Sequence, residues 1–276
     1  MIRVSDANRD ATRDLFEKGA LYCVRTYDHA NTKPIIFVER DIALMFSGRA
    51  GSSFAMKWYL HHNKIKSQYA WAHAHRTKVI YPAAWHQERR EAMYAGGDFK
   101  LIRFTRNPFT RAVSSFLHST QNEPVSRNIV KWLGHRDGYS FLQFLSFVAD
   151  TGVQRVNNHF AHQFSYLEKI HELDAFCPIE GGRIALNELE SQLGLPESSD
   201  EVLSRLRRAG HELTYRSGDS KVAERVFEVG TKADSYPSTG QFYDERTESM
   251  VLEIYSTDFD RFGYDRSLPE LSPQSG

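Results

Sequence analysis

Cysteine is almost absent from this chain: its 276 residues hold two, Cys23 and Cys177. Their separation fits no metal-binding or thiol-exchange spacing, and two thiols cannot frame a small disulfide-stapled secreted domain. Long apolar runs are missing too, since nothing approaches the ~18 consecutive apolar residues of a membrane-crossing helix. Residues 1–20 are too charged for a secretory leader, and no Asn begins a glycosylation sequon. Neither charge sign is in excess, because 35 Lys and Arg balance 35 Asp and Glu. That balance excludes a wholly basic nucleic-acid-binding face. These absences together predict a cytoplasmic protein in a reducing compartment, with no nucleic-acid partner and no integral membrane segment. They leave the oligomeric state open.

What the chain does have is an apolar content of 41%, enough for a sizeable core. Short β-like runs alternate with helical patterns. Ile35–Val38, Ile42–Phe46 and Phe99–Thr105 read as strands, Phe54–His62, Pro108–Ser119 and Tyr139–Ala149 as helices. Further expectations are a strand at Lys78–Tyr81, a polar loop over 120–138, a helical spacing of His159, His162 and Tyr166, a strand at Arg183–Asn187, and one long amphipathic helix over Gln241–Phe262. The alternation predicts an α/β fold, a parallel sheet flanked by helices in a single domain with helical insertions. Residues 1–34 read as an N-terminal extension and 266–276 as a flexible tail.

Two strand–loop–helix units stand out. In the first, Ile42–Phe46 runs into Ser47-Gly48-Arg49-Ala50-Gly51-Ser52-Ser53 and then a helix. Small residues let a backbone approach an anion, and a helix N-terminus offers unpaired N–H groups. An ordinary turn with a serine cap has the same look. It is no Walker A loop, because Gly-Lys-Ser/Thr is absent. In the second unit, Leu101–Thr105 turns through Arg106-Asn107-Pro108 into a helix that carries Ser114. A guanidinium and a hydroxyl at that junction suit a phosphate, although a proline-started helix with surface arginines reads alike. Two such units in one chain suggest a ligand with two separated anionic groups.

Arg106-Asn107-Pro108-Phe109-x-Arg111-x-Val113-Ser114 resembles the 3′-phosphate motif of sulfotransferases that use 3′-phosphoadenosine 5′-phosphosulfate. Gly48–Ser53 resembles their 5′-phosphosulfate loop, and Tyr255-x-x-Asp258-Phe259-x-x-Phe262-Gly263-Tyr264 resembles the closing signature of the carbohydrate-type, sulfotransferase family 2-like branch. The resemblance implies a P-loop-like fold without ATP chemistry. It implies that Gly48, Arg49, Ala50, Gly51, Ser52 and Ser53 hold the phosphosulfate, that Arg106 and Ser114 hold the 3′-phosphate, and that Lys232 and Ser235 lie in a segment near the nucleotide. Relatives commonly carry Lys where this chain has Arg49, and a guanidinium neutralises charge but gives up no proton. Lys57, one turn into the helix, is a fallback cation.

Sulfuryl transfer needs a base for the acceptor hydroxyl, and neutral His suits pH 7. His73 and His75 share a face if their segment is strand-like. His75, beside Arg76, is the favoured catalytic base, with His73 and His159 as further candidates and a structural histidine as the ordinary alternative at each position. The acceptor implied is a small molecule or glycan, and no metal is required. A nucleotide or sugar kinase with a degenerate phosphate loop, or a non-catalytic anion-binding module, would share the same loops.

Overall fold

The structure is a computed structural model that describes residues 33–134, 137–153, 157–165, 167–207, 215–216, 218 and 220–269. Cys23, nearly all of the predicted N-terminal extension, and tail residues 270–276 lie outside the described residues.

In chain order the main elements are β1 (Ile35–Ile36), β2 (Ile42–Phe46), α1 (Ser52–His62), α2 (Ala72–His75), a π-helical turn (Arg76–Ile80), α3 (Ala84–Tyr94), β3 (Lys100–Thr105), α4 (Pro108–Gln121) and α5 (Glu123–Leu133). There follow β4 (Gly138–Tyr139), α6 (Phe141–Thr151), α7 (Leu167–Ile170), β5 (Ala175–Pro178), α8 (Gly182–Gln192), α9 (Asp200–Arg207), β6 (Tyr215–Arg216), β7 (Phe227–Glu228), β8 (Tyr236–Pro237), α10 (Glu245–Ile254) and α11 (Ser256–Phe262). The described residues fall into two compact units. Of these residues, the first draws on those within 33–47, 51–105 and 164–207, the second on those within 48–50, 106–163 and 215–269.

The first unit holds the main sheet, ordered β1-β2-β3-β5. β2, β3 and β5 are parallel, and β1 is an antiparallel edge strand. The fold is therefore α/β with a mostly parallel sheet flanked by helices, as the alternation predicted. β2 is apolar throughout and wholly buried, as befits a parallel strand covered on both faces. Strand periodicity sorts its side chains. Leu44 and Phe46 join Ile102 and Phe104 in a cluster with Trp58 and Tyr59 of α1 and Leu186 and Leu189 of α8. Ala43 and Met45 face the opposite cluster with Leu101, Met93 and Tyr94. Phe46 pairs with Phe104, so β2 and β3 end side by side, and the chain leaves both at one edge of the sheet.

The second unit is mainly helical, with an aromatic core. The apolar face of α4 supplies Phe109, Ala112, Val113 and Phe116, which pack with Phe141, Phe144, Phe160, Phe242, Tyr243 and Phe259. Most of these rings meet edge to face, for example Phe109–Tyr243 and Phe144–Phe160, the arrangement favoured by their quadrupoles. Asn107 caps α4 by accepting the Phe109 N–H at 2.9 Å, with Pro108 in the first turn.

Several local expectations are corrected. The strand expected at Lys78–Tyr81 is the end of the π-helical turn that continues α2, so His73 and His75 are helical and do not share a strand face. The polar loop over 120–138 contains α5. Val125 and Ile129 are buried one turn apart there, and Gly134 closes the helix at φ 77°. Arg183–Asn187 belongs to α8, and the strand lies just upstream at Ala175–Pro178. Tyr166 lies outside the described residues, but 157–165, with His159 and His162, form turns instead of a helix, where the Asn157 side chain accepts the His159 N–H at 3.0 Å. The expected long terminal helix is broken at Tyr255, where φ −109° and ψ 21° separate α10 from α11.

Candidate active site

Within the second unit, side chains far apart in sequence converge. Arg49 donates from Nε and Nη2 to the Ser114 hydroxyl oxygen at 3.1 and 2.9 Å. Arg106 donates from Nη1 to the Arg49 carbonyl at 3.2 Å and from Nε to Thr110 Oγ1 at 3.1 Å. Arg111 is 1% exposed and donates from Nε to the Gly48 carbonyl at 3.1 Å. Two successive loop carbonyls are thus drawn to guanidinium groups. A loop whose carbonyls are turned to one side presents its N–H groups on the other, which is how backbone nests bind anions. Arg49 adopts φ 64°, a left-handed conformation that costs a non-glycine residue roughly 1–2 kcal/mol. Its side-chain and carbonyl hydrogen bonds hold it there.

Gly48 is required by packing, since a Cβ there would lie 2.7 Å from His159 Nδ1 and 3.1 Å from His159 Cα. His159 is held in turn by Ser115, whose hydroxyl donates to the His159 carbonyl at 2.8 Å, and its ring lies 4.5 Å from that of His118. The structure therefore brings Gly48, Arg49, Arg106, Ser114 and His159 together.

Within the first unit, Gly51 stands at the N-terminus of α1 with φ 71°, and a Cβ on it would meet Ile179 Cγ2 at 2.7 Å. No side chain caps α1, and its first turn carries no acidic residue. The start of the helix, including Ser52 and Ser53, keeps the electrostatic character that attracts anions. Ser53 Oγ lies 3.5 Å from His73 Nε2. His73 is buried against Phe46 and Trp71. Its burial, with the Arg76 charge nearby, lowers its pKa to about 4, so its imidazole is neutral at pH 7. Burial lowers His75 as well, but the ring contact of His75 is with Tyr69, at 6.1 Å. Both Nδ1 atoms lack a hydrogen-bond partner among the described residues.

The other expected residues have these surroundings. Lys57 donates to the Leu206 carbonyl at 3.3 Å. Lys232 is exposed, and Ser235 is half-buried, in a segment tied to α4 by the Gly230 N–H and the Thr120 carbonyl at 2.7 Å. Among the described residues, no group of at least three His, Cys, Asp or Glu side chains is placed to hold a metal.

Comparison with protein families decides the reaction class. The model described as Sulfotransferase family matches residues 45–265. The chain belongs to the sulfotransferase family. The match begins within β2, runs through both units and ends just past α11, taking in the loop, Arg106, Ser114 and the Tyr255–Tyr264 signature. No curated protein and no solved structure matches the chain. The protein is a sulfotransferase enzyme, and its chemistry is the transfer of a sulfuryl group to an acceptor.

Some supporting residues of this sulfotransferase were visible in the sequence without the partners that give them their role. Arg103 lies inside β3 fully buried, donating to Glu168 Oε1 at 2.5 Å and to Ser47 Oγ at 3.1 Å. Its signals in the sequence were a charge in an otherwise apolar strand and the arginine cluster it forms with Arg106 and Arg111. Asp258, in the closing signature, is fully buried and accepts the Gln163 N–H at 2.9 and 3.1 Å. Gln163 closes the segment Asn158–Gln163, and nothing in the sequence pointed to Arg106 as its partner.

Proposed function

We propose that this sulfotransferase takes its sulfuryl group from 3′-phosphoadenosine 5′-phosphosulfate and delivers it to a hydroxyl or amine of a carbohydrate, glycolipid or small glycosylated metabolite. The observation that carries this reading is the hydrogen-bonded convergence of Arg49, Arg106 and Ser114. One loop residue and two residues of the second motif form a basic, hydroxyl-bearing cluster suited to a nucleotide with phosphate at both ends. Arg106 and Ser114 serve the 3′-phosphate. The backbone of Gly48–Ser53 serves the phosphosulfate, with Arg49 adding positive charge.

The reaction is an in-line displacement. The acceptor oxygen forms a bond to sulfur as the bond from sulfur to the bridging phosphate oxygen breaks, and the acceptor proton passes to a base. Charge builds on the leaving bisphosphate, where fixed donors of this kind contribute roughly 3 kcal/mol each. Arg49 stabilises that charge without giving a proton. His73 is the base in this reading, in place of the His75 favoured by sequence, because His73 is the one beside Ser53.

Melting-temperature shifts and calorimetry test the donor. Adenosine 3′,5′-bisphosphate should stabilise the protein without magnesium. Arg106→Ala with Ser114→Ala should weaken it by about 100-fold, the worth of a charge-assisted phosphate contact plus a hydroxyl contact. Unchanged affinity, or stabilisation only by ATP with magnesium, refutes the assignment. Transfer of labelled sulfate to a panel of glycans tests the acceptor class.

A further inference from the structure

The second unit contains a closed circuit of buried and half-buried polar contacts that begins and ends at Asp258. Its carboxylate accepts the Gln163 N–H. The Gln163 side chain then brackets the backbone of Arg106: Oε1 accepts the Arg106 N–H at 2.8 Å, and Nε2 donates to the Arg106 carbonyl at 2.7 Å. Arg106 reaches the Arg49 carbonyl, and the neighbouring Gly48 carbonyl is held by Arg111. Arg111 Nη1 returns to Asp258 Oδ2 at 3.8 Å. His162 Nδ1 stands 3.4 Å from the same carboxylate, and Tyr255 donates to the Phe160 carbonyl at 2.9 Å, fastening the segment that carries Gln163. Gln163 and Asp258 are both fully buried.

The chemistry of each position is constrained. The Arg106 backbone presents one donor and one acceptor to the same side chain, so only a group that can both accept and donate completes the pair. A primary amide does this, and a carboxylate does not. With both backbone groups held, the peptide that joins β3 to α4 has one orientation, and the Arg106 guanidinium starts from a fixed origin. Asp258 sets a buried carboxylate opposite the buried Arg111, whose guanidinium holds the loop.

We propose that Gln163 and Asp258 are positioning residues for the sulfuryl donor. Gln163 aims Arg106 at the 3′-phosphate, and Asp258, through Arg111, sets the Gly48 carbonyl and hence the orientation of the phosphosulfate loop. This rests on the donor assignment made above. The two arms serve opposite ends of the nucleotide, so their loss has different signatures.

The test compares the unchanged protein with Gln163→Glu and Asp258→Asn, measuring affinity for adenosine 3′,5′-bisphosphate and for adenosine 5′-monophosphate. Gln163→Glu keeps the shape and the acceptor but sets a carboxylate oxygen against the Arg106 carbonyl. It should lower bisphosphate affinity about tenfold, one charge-assisted contact, while monophosphate affinity changes little. Donor KM should rise more than kcat falls. Asp258→Asn keeps an acceptor for the Gln163 N–H, loses the charge opposite Arg111, and should weaken both nucleotides. A purely structural role would lower the melting temperature without changing the preference between nucleotides. If the unchanged protein binds the bisphosphate and Gln163→Glu retains the same preference, the inference fails alone. If the unchanged protein does not bind it, the donor assignment fails and takes this inference with it. Should Gln163→Glu not fold, Asp258→Asn decides: equal affinity to the unchanged protein for both nucleotides overturns the proposal.

Discussion

Replacing Gly48 with alanine adds a single methyl group at the tightest point of the loop. That methyl would sit 2.7 Å from His159 Nδ1 and 3.1 Å from His159 Cα. Ordinary contact between such atoms begins near ~3.5 Å, so the overlaps are about 0.8 and 0.4 Å. Rotation of the imidazole can relieve the first. The second involves backbone pinned by Ser115 and Asn157, so the loop has to yield. Overpacking of this kind costs about 1–3 kcal/mol of stability. On the proposed function the larger effect falls on donor binding, because the Gly48 carbonyl is pulled from Arg111. A misplacement approaching ~1 Å can cost about 100-fold in turnover. Calorimetric titration with adenosine 3′,5′-bisphosphate, beside chemical denaturation, measures both effects. His159→Ala in the Gly48→Ala background removes the ring overlap but leaves the Cα overlap, so stability should return only in part. A Gly48→Ala protein with bisphosphate affinity within about twofold of the original would show that the loop does not hold the donor.

Two further perturbations report on the first unit. Glu190 is fully buried, and its carboxylate accepts hydrogen bonds from Trp58 Nε1, His62 Nε2, the Ser198 hydroxyl and the Ser198 N–H. Those bonds outweigh the effect of burial and lower its pKa from 4.5 to about 2. Because the folded value is depressed, this stabilisation is complete above pH 4.5 and is lost as pH falls towards 2. At about 1.4 kcal/mol per tenfold change in proton affinity it amounts to about 3 kcal/mol. Denaturation curves between pH 5 and 2 should show that loss, and Glu190→Gln should flatten it; an equally steep dependence in the variant would refute the attribution. For catalysis, a base with the lowered pKa of His73 is already unprotonated at mildly acidic pH, so turnover should stay level from pH 8 to about 6. His73→Ala should keep bisphosphate affinity and lose about 100-fold in kcat; loss of activity in His75→Ala or His159→Ala, with His73→Ala active, would name a different base.

The elements most legible in the sequence were those whose residues need only local partners or one apolar face. β2 and β3 are short apolar runs, and α4 starts at Pro108 and shows its buried stripe at helical spacing. Phe54–His62 was read as a helix for the same reason. The loop, Arg106 and Ser114 were also visible, because small residues and an arginine at strand ends are local signals. The histidine segment misled because Ala72–Ile80 has no strong period, and its helical and π-helical turns are stabilised by packing against Phe46 and Ile80's neighbours in the first-unit core.

Amino-acid order by itself therefore determined the α/β class, the two strand–loop–helix units and the reaction family those motifs resemble, since each is announced by a pattern within a few neighbouring residues. Only tertiary structure decided which groups meet. Arg49 reaches Ser114, Gln163 brackets Arg106, and Asp258 closes on Gln163 and Arg111. None of these pairs has a periodicity that links its members, because a hydrogen bond between distant segments is created by the packing that carries them together. His73 parted from His75 for the same reason: one turned towards Ser53, the other towards Tyr69, once the segment folded as a helix.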